Sequence, residues 1–273
     1  MRPPHHCSLY ALFIEVFGTR DFDGSPHRLG NATATLYEEG GATYLISNWH
    51  VFSGLHAQEL VALDKTTSLL PTSVRVHFPK ENALEEIVHC DYPLQDSSGK
   101  HLWFEHPLKN KVDVAALPIE PPELIATRKL NDSMRQPRLV ATDDFFYVTQ
   151  EVWAIGFPKG IRVSGLPIWK RATIAAEPRF SSAAERHKIL LDTATRDGMS
   201  GSPVLYVGGS PTPMIFDGSS QVVDFPPSKC LLGIYSGRIA GSDELSAQLG
   251  IAWRAEAISD IVSARMPYTP TTA

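Results

Sequence analysis

Apolar and polar positions alternate in short runs along most of the chain, with β-branched and aromatic residues gathered between Gly, Pro and Asp breaks. A period of two marks strands that bury one face, and many short strands separated by turn residues fit an all-β sandwich or barrel. In the first half this pattern predicts strands over Leu9–Phe17, Ala32–Tyr37, Thr43–Ser47, Leu60–Leu63, Ser73–Phe78, Glu85–His89 and Val112–Ile119. That is roughly one barrel's worth of strands. From Glu120 to Asp144 the sequence turns polar and Pro-rich and loses its alternation, so it reads as a connection. A second series then runs through Phe146–Ile155, Trp169–Ala175, Lys188–Thr193, Pro203–Tyr206, Cys230–Ser236 and Gly250–Trp253. Over Ala255–Arg265 the period changes: Ile258, Ile261 and Val262 share one helical face, which predicts a short closing helix. Two long polar segments, Tyr92–Asn110 and Gly208–Ser228, are expected to be surface loops. The resulting organisation is a first unit over 1–125, a connection over 126–145 and a second unit over 146–273.

Composition narrows the partners. The 273 residues are 43% hydrophobic and 20% charged, near the values of ordinary globular proteins. With a net charge of -5 and no basic run, nothing suits a line of phosphates, so no nucleic-acid partner is expected. No stretch approaches the roughly 20 apolar residues of a membrane helix. The apolar run Leu9–Phe17 is interrupted by Glu15 and lacks a small-residue cleavage site, so it reads as a strand and not as a leader. Cys7, Cys90 and Cys230 are far apart with no Cys-x-x-Cys pair, so neither a disulfide framework nor a zinc site is implied. A cytoplasmic location is the expectation that follows, because exported proteins of this kind tend to carry paired cysteines.

The strongest chemical signal is Asp197-Gly198-Met199-Ser200-Gly201-Ser202-Pro203, a tight turn between two predicted strands that presents one hydroxyl. Glycines on both sides let the backbone curl until amide N–H groups converge on one point, where an oxyanion could be held. The N–H groups of Gly198 and Ser200 are the expected donors. Taken alone, the same residues also describe a plain Gly/Ser hairpin turn. A serine hydroxyl needs a base to take its proton, and histidine is the usual one. Of ten histidines, His50 stands out because it closes the strand Thr43–Ile46 through Ser47-Asn48-Trp49 and is followed by Val51-Phe52. His27, His56, His77, His89, His101, His106 and His187 lack that frame and fit surface or satisfied core positions. A shielded carboxylate should orient the imidazole. Asp113, at the entrance of the apolar run Val112–Ile119, fits, though an exposed strand-edge Asp is the plainer reading of that residue alone.

Together the three occur in the order His, Asp, Ser, each supplying a role the others need. The segments Leu45-Ile46-Ser47-Asn48-Trp49-His50-Val51, Asp113-Val114-Ala115-Ala116-Leu117 and Gly198-Met199-Ser200-Gly201-Ser202-Pro203 closely resemble the signature blocks of trypsin-like serine peptidases. The bacterial branch with HtrA-type and glutamyl endopeptidases is the nearest likeness, here with no PDZ-like segment following. Ala154-Ile155-Gly156-Phe157-Pro158 and Leu249-Gly250-Ile251-Ala252 extend the resemblance into the second half. It implies two orthogonal six-stranded Greek-key β-barrels with the site between them, and a serine endopeptidase with the triad His50, Asp113 and Ser200. It also implies a primary substrate pocket walled by Ala194 and Thr195 on one side and Tyr235, Ser236 and Arg238 on the other.

The resemblance has departures. Ala194 stands where Lys/Arg-cleaving members carry an Asp, so a basic substrate side chain would meet no counter-charge. Thr195 and Arg238 could bind an acidic side chain, and a small or uncharged one fits equally. Met199 replaces the Asp that pairs with a freed N-terminus in digestive members, so that activation route is closed. No cofactor or metal is needed. The expected partner is a protein or peptide substrate, with a regulatory protein partner in a stress or defence pathway as one alternative and a catalytically silent binding module as another.

Overall fold

The computed structural model describes residues 4–20, 22–133, 146–178, 186–194, 197–208, 213–216, 219–222, 229–238 and 249–270. The first lobe contains β1 (Leu12–Thr19), β2 (Pro26–Glu39), β3 (Ala42–Ser47), α1 (Trp49–Ser53), β4 (Pro71–Lys80), β5 (Ala83–Pro93), β6 (Phe104–Glu105), β7 (Ala115–Ile119) and α2 (Leu130–Ser133). The second contains β8 (Glu151–Gly156), β9 (Ile168–Ile174), β10 (Lys188–Asp192), β11 (Pro203–Val207), β12 (Pro213–Phe216), β13 (Ser219–Val222), β14 (Lys229–Arg238) and β15 (Leu249–Arg254). The helix α3 (Glu256–Ala264) and a last two-residue strand, β16 (Met266–Pro267), follow.

The fold is all-β, as its alternation predicts. In the second lobe the strands close into a barrel in the order β10-β15-β14-β11-β8-β9, all antiparallel, with β12 and β13 forming a separate hairpin. The first lobe is one eight-stranded sheet ordered β16-β6-β7-β3-β2-β1-β4-β5. Six of its strands are long; β6 and β16 are two-residue additions at one edge.

Strand periodicity divides the side chains among three cores. Leu12, Ile14 and Val16 of β1, Leu45 of β3, and Ala115, Leu117 and Ile119 of β7 face the interior of the first lobe. Their neighbours Phe13, Tyr44, Ile46 and Ala116 point the other way and pack against Ile155, Phe157, Ile234 and Trp253 at the seam between lobes. Successive strand residues face opposite sides, and here both sides are buried. That explains why Val112–Ile119 is apolar almost without interruption. The second barrel is filled by Val152, Ala154, Ile174, Leu191, Met199, Tyr235 and Ala252, among others. Helix α3 presents Ala257, Ile258, Ile261 and Val262 to the seam, the face its spacing predicts.

Some strand assignments differ. Leu60–Leu63 is a turn carrying only a lone bridge between Leu55 and Ala62. Leu60 adopts φ +55°, which ends any extended run, and Val61 and Leu63 remain exposed. The strand expected from Phe146 begins at Glu151, because Thr149 sits at φ +75° in the preceding turn. The segment Tyr92–Asn110 is not wholly loop, since β6 lies within it, and Gly208–Ser228 contains the β12–β13 hairpin. After α3 the chain returns to the first lobe, where β16 pairs with β6 and Tyr268 stacks on Trp103 at 4.3 Å between ring centroids.

Candidate active site

His50 is the second residue of α1, which begins where β3 ends at Ser47. Asn48 precedes the helix, and its side-chain amide donates to the Asp113 backbone carbonyl at 2.6 Å. The helix is closed by Gly54, whose N–H bonds to the His50 carbonyl at 2.9 Å. The short loop after β6 delivers Asp113, 4% exposed, under the imidazole. Asp113 Oδ1 accepts from the His50 backbone N–H at 2.8 Å, and Oδ2 lies 2.6 Å from His50 Nδ1. That bond fixes the tautomer: Nδ1 carries the proton and Nε2 is left as an acceptor. Nε2 is 3.1 Å from Ser200 Oγ. The three residues singled out in the sequence are therefore brought into one hydrogen-bonded chain.

The turn carrying Ser200 is locked from two sides. Gly198 is at φ +90° and Gly201 at φ +84°, conformations that a side chain would strain. A Cβ on Gly201 would overlap the Thr33 carbonyl, and one on Gly198 would overlap the Phe157 carbonyl. Among the described residues neither the Gly198 nor the Ser200 N–H has a hydrogen-bond partner, so both amides are free for a ligand. Met199, fully buried, packs into the interior of the second barrel. Where an ion pair was absent from the sequence, an apolar anchor holds the turn.

Strand β2 of the other lobe supplies a clamp that the sequence reading missed. Thr33 N–H donates to the Ser200 carbonyl at 2.8 Å, and the Thr33 hydroxyl donates to the Gly198 carbonyl at 2.8 Å. The same hydroxyl accepts from Phe157 N–H at 3.2 Å, and Ser47 Oγ donates to the Thr33 carbonyl at 2.8 Å. Thr33, Ser47 and Asn48 are completely buried, and the bonds of Thr33 to Ser200, Gly198 and Phe157 and of Asn48 to Asp113 cross between segments distant in sequence. Nothing local in the chain signals such pairings.

The expected pocket residues separate. Ser236 is beside the triad: its hydroxyl donates to Asp113 Oδ2 at 2.6 Å, and its carbonyl is 3.4 Å from Ser200 Oγ. Ala194 is exposed at the end of β10. Tyr235 is 1% exposed and belongs to the barrel core, its ring lying against Gly250 beside the Thr193 methyl. Its backbone pairs with the nucleophile turn, donating to the Ser202 carbonyl and accepting from Gly201 N–H, each at 2.8 Å. Thr195 lies outside the described residues. So does the side chain of Arg238, whose backbone pairs with Gly250 in the β14–β15 ladder.

Among the described residues one group has the spacing of metal ligands: His106, His187 and Asp260, whose donor atoms lie within 4.8 Å of one another. His106 Nδ1 accepts from Leu108 N–H at 3.0 Å, which places the ring proton on Nε2, facing Asp260 Oδ2 at 3.4 Å. His187 Nε2 accepts from Arg186 at 3.2 Å. Burial, and for both rings the nearby Arg186, lowers both histidine pKa values against the pull of Asp260. With its Nε2 already protonated, His106 suits a hydrogen-bonded seam between lobes and not a metal. No helix among the described residues is long and apolar enough to cross a membrane.

A model of the trypsin-like peptidase domain matches residues 32–210, well over half of the sequence. No curated protein sequence matches it. Among solved structures, the HtrA-type protease AlgW with a tripeptide superposes with a TM-score of 0.50 at 15% identity. The match covers 94% of this chain and 60% of that chain, so the likeness bears on the fold.

Proposed function

The chain belongs to the trypsin-like peptidase domain family, and from that premise we propose that it is a serine endopeptidase acting through Ser200, His50 and Asp113. The observation that carries the reading is the continuous chain of bonds from Asp113 through His50 to Ser200, 2.6 and 3.1 Å long. Ser200 Oγ attacks the peptide carbonyl while its proton passes to His50 Nε2. Asp113 stabilises the imidazolium that forms and keeps it oriented. The carbonyl oxygen, now an anion, is received by the free N–H groups of Gly198 and Ser200, and such donors in a preformed site contribute on the order of 3 kcal/mol each to the transition state. His50 then gives its proton to the leaving amine. Water, deprotonated by the same His50, releases the acyl group from Ser200.

Two features support a site that is ready without an activating cleavage: the buried Met199 anchor and the Thr33 clamp on Gly198 and Ser200. We take the buried Tyr235 ring, packed in the core against Gly250, as closing the barrel side of the expected pocket, which favours a small uncharged side chain before the cut bond. Burial, offset in part by Arg128, pushes the Cys7 thiol up to about 11, so it stays protonated and unreactive.

Replacing Ser200 with Ala should abolish hydrolysis of casein and of fluorogenic peptides while leaving the circular dichroism spectrum unchanged. A fluorophosphonate probe should label the wild-type chain and not this variant. Cleavage by Ser200→Ala at the wild-type rate would defeat the reading, and an unlabelled wild type would favour a silent binding module.

A further inference from the structure

Beside Ser200 and His50 opens a cleft of about 650 Å³ that belongs almost entirely to the first lobe. Its apolar lining includes Val16 of β1, Leu29 of β2, Val51 of α1, and Leu63 and Leu69 of the segment leading to β4. Its polar rim is Asp64, Lys65 and Thr66, and its inner end is Asp197, Gly198 and Ser200. None of the lining comes from β14, the strand that carries Ser236.

The two halves of a substrate must leave Ser200 on different sides. The acyl half faces β14, where the Ser236 carbonyl lies 3.4 Å from Ser200 Oγ. The amine that departs takes its proton from His50 Nε2, so its peptide passes the imidazole, and Val51 and Gly54 of the cleft wall continue directly from His50. The cleft carries charges of both signs, Asp64 and Asp197 against Lys65, so charge alone selects no substrate side chain. Asp64 is occupied by Thr66 N–H at 3.0 Å and by the N–H and hydroxyl of Thr67. Lys65 has no partner among the described residues.

We propose that this cleft is a leaving-side subsite that selects a large aliphatic or aromatic side chain on the residue just after the cut bond. The proposal rests on the endopeptidase reading and adds to it the class of substrate. An apolar side chain entering a cleft lined by Leu29, Leu63 and Leu69 removes water from both surfaces. Leu63, 45% exposed, lines the cleft and would gain burial when the cleft is filled.

Acyl transfer isolates this subsite. A small ester first acylates Ser200, and added amino-acid amides then compete with water. In the transfer, the amine nitrogen forms a bond to the acyl carbon, the bond from that carbon to Ser200 Oγ breaks, and the amine proton passes through His50 to the Ser200 oxygen. Leucinamide and phenylalaninamide should capture the acyl group about tenfold more efficiently than alaninamide. Leu63→Asp should bring that ratio close to one, whereas Leu63→Met should keep it. Equal capture of all three amides, or a ratio untouched by Leu63→Asp in a folded chain, overturns the subsite and leaves the endopeptidase reading standing. A chain that never forms the acyl-enzyme overturns both.

Discussion

The Ser236 hydroxyl and His50 Nδ1 donate to the same carboxylate oxygen of Asp113, at 2.6 Å in each case. With the His50 N–H on the other oxygen, the carboxylate is held in place by three donors. Ser236→Ala removes one of them and should lower kcat roughly tenfold, the value of about one charge-assisted hydrogen bond. KM should change little, because the bond orients the base and does not hold substrate. Ser236→Thr should restore most of the loss. Steady-state kinetics of the two variants checks this, and an unchanged kcat for Ser236→Ala contradicts it.

Gly201 has no room for even one methyl group. A Cβ there would overlap the Thr33 carbonyl and approach Ser47 Oγ, and its backbone sits at φ +84°. Gly201→Ala should therefore cost on the order of 3 kcal/mol or more of stability. Activity should fall with it, since Gly201 adjoins Ser200. Urea unfolding read by tryptophan fluorescence gives the first quantity. An Ala variant as stable as the wild type would mean that the two lobes meet differently.

The chemistry was more legible in the chain than the framework that positions it. His50 and Ser200 sit in contiguous motifs whose residues act locally, so strand ends and glycines announce them. Asp113 gained its meaning only beside the other two. Thr33 and Asn48 were invisible because their partners, Gly198, Ser200 and the Asp113 carbonyl, lie far away in sequence. Tyr235 carries a motif position of the second barrel, yet its ring turns into the core, an orientation that strand alternation alone does not decide between pocket and interior. Leu60–Leu63 was apolar enough to suggest a strand. It serves as turn and rim instead, next to the cleft.

Acid should loosen the contacts between the lobes. His77 is buried, with Nε2 donating to Glu15 at 3.0 Å and Nδ1 accepting from Arg162 at 3.3 Å, while His89 stands 4.4 Å away ring to ring. Burial lowers its pKa, and so do His89 and Arg162, against the pull of Glu15. A histidine whose folded pKa lies below the unfolded value of about 6.5 is least costly to the fold above that pH. Stability is then lost as pH falls from the unfolded value toward the lowered one. Protonation also turns Nδ1 into a donor facing the Arg162 guanidinium. His106, lowered by burial first and also by His187 and Arg186, adds a change of the same sign. The urea midpoint should fall between about pH 7 and pH 5, and His77→Gln with His106→Asn should flatten that slope. A midpoint equally pH-dependent in the double variant would assign the effect to other groups.

Opening the space beside Gly250 should change what the enzyme accepts before the cut bond. Tyr235→Val shortens a fully buried ring and should cost about 3 kcal/mol. It should also raise kcat/KM for substrates with Leu or Phe in that position relative to Ala, by roughly tenfold. Matched peptides that differ only there provide the measurement. An unchanged ratio in the folded variant would place the acyl-side pocket elsewhere.

The Thr33 clamp bears on when activity can arise. Ser200 and Gly198, in the glycine-dependent nucleophile turn, belong to the later part of the chain, but their carbonyls are held by a strand made much earlier. A nascent or clipped half therefore has no route to a formed nucleophile, because the mould for it lies in the other half. Hydrolysis at Ser200 is therefore expected only once both lobes have folded and docked, and is expected to stop when the lobes part.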